Sequence, residues 1–213
     1  MVNKKPALTA LTSAILSAAL LASPFGTALA QAAPTSVNQH QITGSAFKYT
    51  KLKEGSLIAK LYVPRYGKKY VRTILQGTSH STLNNKAGLG HYDETSLPGQ
   101  IGNFAIAGHR FANGGPMLKI DKIKLGDYAY VKTPSTWYTY KYLATKVVSP
   151  NNVGVIYPVP KGLSGAVQGG SYMTFTSCTP VHINTHRIAA WFELVSEQPV
   201  ADGMPEALAN FLG

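Results

Sequence analysis

The sequence predicts an all-β domain that closes as a barrel or packs as a sandwich. Between Ser56 and Val195 it carries seven apolar runs rich in β-branched and aromatic residues, punctuated by Gly, Pro, Asn and Asp. Helix-period patterning over the same stretch is scarce. The composition agrees: 10% aromatic residues, 20 Gly and 13 Pro in 213 residues suit a folded chain with many turns. They exclude a disordered, collagenous or coiled-coil chain.

The elements follow in chain order. Lys4 and Lys5 precede an uncharged Ala/Leu-rich stretch, then Pro24, Gly26 and Ala28-Leu29-Ala30. A basic start, an apolar run and a small-residue A-x-A site describe a signal peptide over residues 1–30. The uncharged stretch is also long enough for an N-terminal membrane anchor. Either way the rest of the chain is expected to be exported, anchored or secreted. Residues 31–54 are polar and aperiodic and read as a linker.

A β domain is expected over 55–197. Its strands are Leu57–Val63, ended by Pro64, then Lys69–Leu75, Asn103–Ala107, Tyr128–Lys132 and Thr136–Val148, with Pro134-Ser135 as the turn between the last two. Tyr172–Thr176 and Ile188–Val195 follow. Helix is expected only over Ser79–Lys86, as a turn near Pro116–Ile120, and in the tail 198–213. In that tail Asp202 could cap a short helix, Pro205 suits its first turn and Glu206 its N-terminal charge. Met204, Leu208, Phe211 and Leu212 recur at spacings of three and four. Such a face packs on the domain exterior, lies near a cleft and limits access to it, meets a membrane or partner, or frays.

The formal net charge is +11, with 20 Lys and Arg against 9 Asp and Glu. Basic residues cluster over Lys48–Arg72. This is either a solvated face or a surface for an anionic membrane or cell-wall polymer. No zinc-finger, helix-turn-helix or RNP pattern points to nucleic acid.

One Cys stands in the chain, Cys178. It cannot form an internal bridge, so it is either a small buried hydrophobe or a reactive thiol. It follows the strand Tyr172–Thr176 and precedes Thr179-Pro180, which sets it at a strand tip beside a loop. Arg187 opens the next strand. If the two strands pair as a long-looped hairpin, Cys178 and Arg187 face each other across its open end. A guanidinium there could lower the thiol pKa and donate to a developing oxyanion. Of six His, His109 directly follows an apolar strand through Gly108, which makes it the stronger proton donor and acceptor for the thiol. His182 and His186, close to Cys178 in sequence, are its rivals. No His/Cys/Asp spacing has the pattern of a zinc site.

Gly108-His109-Arg110, then Thr174-Phe175-Thr176-Ser177-Cys178-Thr179-Pro180, then Arg187 before a hydrophobic strand, resemble the sortase family. Phe175 and Ser177 stand where the family more often has Leu and Thr. The stretch Gly90-His91-Tyr92 through Leu97-Pro98-Gly99-Gln100 to Arg110 is most similar to class E, with class D second. The resemblance implies an eight-stranded sortase-type barrel and a cysteine transpeptidase without cofactor or metal. Its substrates would carry a C-terminal LPxTG- or LAxTG-like signal, cut between Thr and Gly. Cys178 would be the nucleophile, His109 the acid and base, and Arg187 the oxyanion and substrate clamp. The acceptor would be an amine of a lipid II-like cell-wall precursor or a pilin Lys. The residues alone leave two alternatives. One is a papain-like cysteine peptidase, although those place Cys before His. The other is a secreted β-domain that binds anionic cell-wall polymer and buries its thiol.

Overall fold

The computed structural model describes residues 52–85 and 88–213. The expected leader, and all but the last three residues of the expected linker, lie outside the described residues.

Eight strands close into one barrel in the order β1-β2-β3-β4-β7-β8-β6-β5. They are β1 (Leu57–Tyr62), β2 (Val71–Gln76), β3 (Leu89–His91), β4 (Gly102–Gly108), β5 (Tyr128–Lys132), β6 (Thr136–Val148), β7 (Ser171–Thr179) and β8 (His186–Pro199). The sandwich alternative is excluded, because β1 pairs with both β2 and β5 and leaves no open edge. Leu61, Ile74, Leu89, Phe104, Ile106, Val131, Met173, Phe175 and Phe192 fill the interior at 0–1% exposure.

β5 and β6 have the residues expected of them, since both are strong β-formers bounded by a Pro-Ser turn. β7 and β8 run further than expected, because the hairpin between them keeps pairing to Thr179↔His186 and β8 goes on pairing with β6 to Thr136↔Pro199. β2 starts two residues later than expected, after Lys69-Tyr70. β3 was not foreseen. It has three residues, too few to show alternation, and Gly90 lies at its centre. A Cβ at Gly90 would run into the Gly77 carbonyl, so only Gly lets β3 lie this close to the chain beyond β2.

The expected helix over Ser79–Lys86 is a single turn, α1 (His80–Leu83), with Ser79 Oγ accepting from Thr82 N at 3.4 Å. The segment after β4 forms turns and a 3-10 turn at Ile120–Lys122.

Both faces of β4 are buried. Its outer side is covered by the connection 149–170, which contributes Val155 and Leu163 to an exterior cluster with Tyr172 and Trp191. Trp191 Nε1 donates to Val155 O at 3.0 Å. Thr174 Oγ1 donates to Asn103 Oδ1 at 2.8 Å, and Asn103 Nδ2 donates to Tyr157 O at 3.0 Å.

The tail forms α2 (Glu206–Leu212). Its Leu208 is 1% exposed against Tyr130 and Trp137, with Tyr62, Val200 and Leu212 around them. The tail therefore docks on the barrel exterior. It lies by the start of β6, where Thr136 pairs with Pro199. Cys178 lies at the other end of that ribbon, where Val148 pairs with Arg187. This excludes the cleft alternative for the tail. Asp202 does not cap α2: it belongs to a 3-10 turn at Val200–Asp202, and Pro205 holds the N-cap position without a side-chain hydrogen bond.

Candidate active site

The site is built where β4, β7 and β8 end together. β4 and β7 pair in parallel up to Ala107↔Thr176. Two residues further on along that register, His109 is level with Cys178. The alignment is locked one residue before each of them, where the buried Ser177 hydroxyl donates to Gly108 O at 2.7 Å. On the other side of β7, Cys178 and Arg187 are cross-strand partners. The expectation that these two face each other across the hairpin end is met. Cys178, His109 and Arg187 are all partly buried.

His109 has a defined tautomer. Its Nε2 lies 2.9 Å from Asn84 Oδ1, and that oxygen also accepts from Asn113 Nδ2 at 2.7 Å. An amide oxygen already accepting from Asn113 is an acceptor toward His109 as well. Nε2 is therefore the protonated nitrogen of the neutral ring, and Nδ1 is the nitrogen with a lone pair. The loop after His109 is pinned by Arg110, whose Nε donates to Leu118 O at 3.0 Å and whose Nη2 pairs with Asp121 at 2.9 Å. Arg110 is 5% exposed, so this member of the Gly108-His109-Arg110 motif braces the loop from within.

The hydrogen bonds of Arg187 are to its own end of the hairpin. Nη1 donates to His186 O at 3.1 Å and to Asn184 O at 3.3 Å. These contacts hold the guanidinium at the mouth of the loop, which the residue pattern did not foretell.

The rival histidines are both exposed: His182 lies on the loop between β7 and β8, and His186 is the first residue of β8. His182 packs on the Phe111 ring with centroids 4.1 Å apart, and His186 Nδ1 lies 3.0 Å from Thr185 Oγ1. His40 lies outside the described residues. Among the described residues no group of three or more His, Cys, Asp and Glu is gathered as for a metal ion.

Tyr92 is a member of the site that residue-by-residue reasoning passed over. Its hydroxyl lies 2.9 Å from Thr176 Oγ1. Burial pushes its phenol above the usual tyrosine value, against the Thr176 hydrogen bond and the Arg187 charge, while Cys178 adds to the rise. Tyr92 is thus within electrostatic reach of both Cys178 and Arg187. Its place in the Gly90-His91-Tyr92 stretch was the one available signal. Asn84 had none.

Residues 61–195 match the model of the sortase domain. The chain belongs to the sortase family. Its relatives include the Streptomyces coelicolor sortases SrtE1, 36% identical over 162 residues, and SrtE2, 37% identical over 149. Those alignments take in 73% and 67% of this chain but 45% and 58% of the relatives. The sortase therefore spans about half the length of the curated relatives it matches. Among solved structures it is similar to sortase E from Streptomyces avermitilis, with 40% identity and a TM-score of 0.67 over 74% of this chain and 99% of that one. It is also similar to sortase E1 from S. coelicolor, solved with a tripeptide in the active site, with 35% identity and a TM-score of 0.68 over 72% and 97% of the two chains. The class E resemblance of the Gly90–Arg110 stretch agrees with these relatives, and the barrel is that of the sortases.

Proposed function

We propose that this sortase is a cysteine transpeptidase that cuts an LPxTG- or LAxTG-like C-terminal signal between Thr and Gly and passes the new terminus to an amine. The observation that carries the reading is the meeting of three strand ends: Cys178 opposite Arg187 across β7–β8, with His109 one residue past the end of β4 and level with Cys178 along the β4–β7 register. A thiol that is partly exposed at a strand end favours this over a module that buries its Cys as packing.

In this mechanism Cys178 passes its thiol proton to His109 Nδ1, the Sγ thiolate attacks the Thr carbonyl carbon and the carbonyl electrons move onto oxygen. The Arg187 guanidinium donates to that oxyanion, a planar fork of donors at a charge that exists only in the transition state. Collapse expels the Gly amine, which takes a proton from His109. Because Nε2–H is held by Asn84 Oδ1, the proton moves at Nδ1. The incoming amine then attacks the thioester, returns its surplus proton to Nδ1 and releases Cys178. The amine is that of a lipid II-like cell-wall precursor or a pilin Lys, and the enzyme works outside the cytoplasm, anchored or secreted. The basic residues near the start of the domain would favour an anionic membrane or wall surface.

The test is incubation of the full chain with a small library of LPxTG and LAxTG peptides, followed by mass spectrometry. A mass gain equal to the acyl fragment, absent in Cys178→Ala, is expected. Cleavage by Cys178→Ala near the wild-type rate would overturn the reading.

A further inference from the structure

The mechanism above leaves a buried titratable side chain unused. His91 ends β3 with 1% of its surface exposed, its ring 5.2 Å from that of Phe104. Its Nδ1 lies 2.9 Å from Gln76 Oε1, and its Nε2 lies 3.0 Å from Ser96 O and 2.9 Å from Thr95 Oγ1. The Gln76 amide is not free to turn round. Its Nε2 donates to Asp93 Oδ1 at 2.8 Å, and flipping it would set an oxygen against the carboxylate. Gln76 Oε1 is therefore an acceptor toward His91. In the neutral ring Nδ1 carries the proton and Nε2 carries the lone pair.

That lone pair meets the Ser96 carbonyl, which can only accept. The donor that these contacts offer it is the Thr95 hydroxyl, which also lies 2.8 Å from Tyr92 O. One hydroxyl proton thus has two claimants. With His91 neutral, Thr95 donates its hydroxyl proton to Nε2 and the Tyr92 carbonyl keeps the Thr95 backbone N–H, at 3.0 Å, without the hydroxyl. When His91 takes a proton from solvent at Nε2, that N–H donates to Ser96 O, and the Thr95 hydroxyl turns back to Tyr92 O. Ala105 N, 3.3 Å from Thr95 Oγ1, uses an oxygen lone pair and fits both states.

We propose that His91 and Thr95 form a proton-driven hydrogen-bond exchange that sets the hold on Tyr92, and through it the position of the Tyr92 phenol beside Thr176, Cys178 and Arg187. His91 is a positioning residue here, since it acts through Tyr92. The consequence for catalysis rests on the transpeptidase reading, whereas the exchange itself does not.

The titratable and charged groups on the surrounding elements define which way acid moves it. Asp93, which accepts from the Gln76 amide, favours the imidazolium by its charge. Glu54 is engaged by Ser79 and Thr82. His80 on α1 and Glu94 on the turn are exposed, Tyr92 is turned to Thr176, and Arg72 packs over Tyr70 nearer the start of β2. β4 brings uncharged side chains, with Phe104 against the ring and Ile106 opposite His91 in register. Burial dominates and holds the imidazole below its ordinary value of 6.5. The ring is neutral at neutral pH, and the exchange is driven by acidification.

The experiment is an NMR titration of the isotopically labelled full chain, following the His91 ring nitrogens and the Tyr92 carbonyl carbon. Both are expected to change with one shared midpoint below pH 6.5. Thr95→Val should leave the His91 titration in place and abolish the Tyr92 response, and Thr95→Ser, which keeps the hydroxyl, should restore it. A Tyr92 carbonyl that ignores the His91 titration in wild type, or that responds equally in Thr95→Val, overturns the proposal. On a peptide substrate, the wild-type rate should show a step at the same midpoint that Thr95→Val lacks. An exchange seen by NMR in a protein that forms no acyl-enzyme would leave the device standing and remove the transpeptidase reading.

Discussion

Ser177→Ala probes the tie between the strands that carry Cys178 and His109. The Ser177 side chain is 4% exposed, and its hydroxyl donates to Gly108 O at 2.7 Å. A typical internal hydrogen bond contributes about 1 kcal/mol net, and a buried acceptor left without its donor costs about 1–3 kcal/mol. The removed atom is small, so little cavity is added, and the expected loss is about 1–3 kcal/mol. For a domain of this size each kcal/mol lowers Tm by about 2–4 °C. Thermal unfolding followed by circular dichroism measures that loss. The functional consequence is larger. The bond lies one residue before each of the two reacting groups, and a misplacement of about 1 Å between such groups costs on the order of 100-fold in rate. Peptide cleavage assayed well below Tm should therefore lose far more than the small unfolded fraction explains. An unchanged Tm refutes the energetic argument. A lowered Tm with unchanged kcat/KM refutes the claim that this bond aligns Cys178 with His109.

Other outcomes follow from the same geometry. His109→Ala should reduce cleavage by at least ~100-fold, the scale of general acid–base catalysis, while His182→Ala and His186→Ala keep most of it; kcat for the three variants decides. Arg187→Lys keeps the charge but loses the planar fork, so it should fail almost as badly as Arg187→Ala, by roughly 2.7–4 kcal/mol in the barrier; rescue by Lys would mean that charge alone matters. Leu208→Ala empties the contact of α2 with Tyr130 and Trp137 and should cost about 2–5 kcal/mol. Because α2 lies at the opposite end of the β6–β8 ribbon from Cys178, peptide KM should not move.

Strong local patterns were legible. β5 and β6 are long or dense in β-branched and aromatic residues, and they end at Lys132 and Val148 as expected. The Cys178–Arg187 pairing was legible because a hairpin propagates its register from the loop, and few registers bring Thr179 and His186 together. What escaped depends on contacts between distant segments. β3 is held by parallel pairing to β2 and by the absence of a side chain at Gly90, neither of which leaves a pattern along the chain. Tyr92 and Asn84 reach the site from segments far from Cys178 in sequence, and only closure of the barrel brings them there. Asp202 had the chemistry of a cap but lies three residues too early, because the chain makes a 3-10 turn before Pro205.

The parallel pairing of β4 with β7 also bears on how the molecule comes into being. Parallel neighbours need a crossover, and this one spans β5, β6 and the whole 149–170 connection. The bond that aligns them joins residues 69 positions apart. Contacts so remote form only after most of the entropic cost of closing the loop has been met, which makes them late and slow events in folding. Pulsed hydrogen exchange during refolding would clock the moment at which β7 inserts between β4 and β8, because its amides gain protection there.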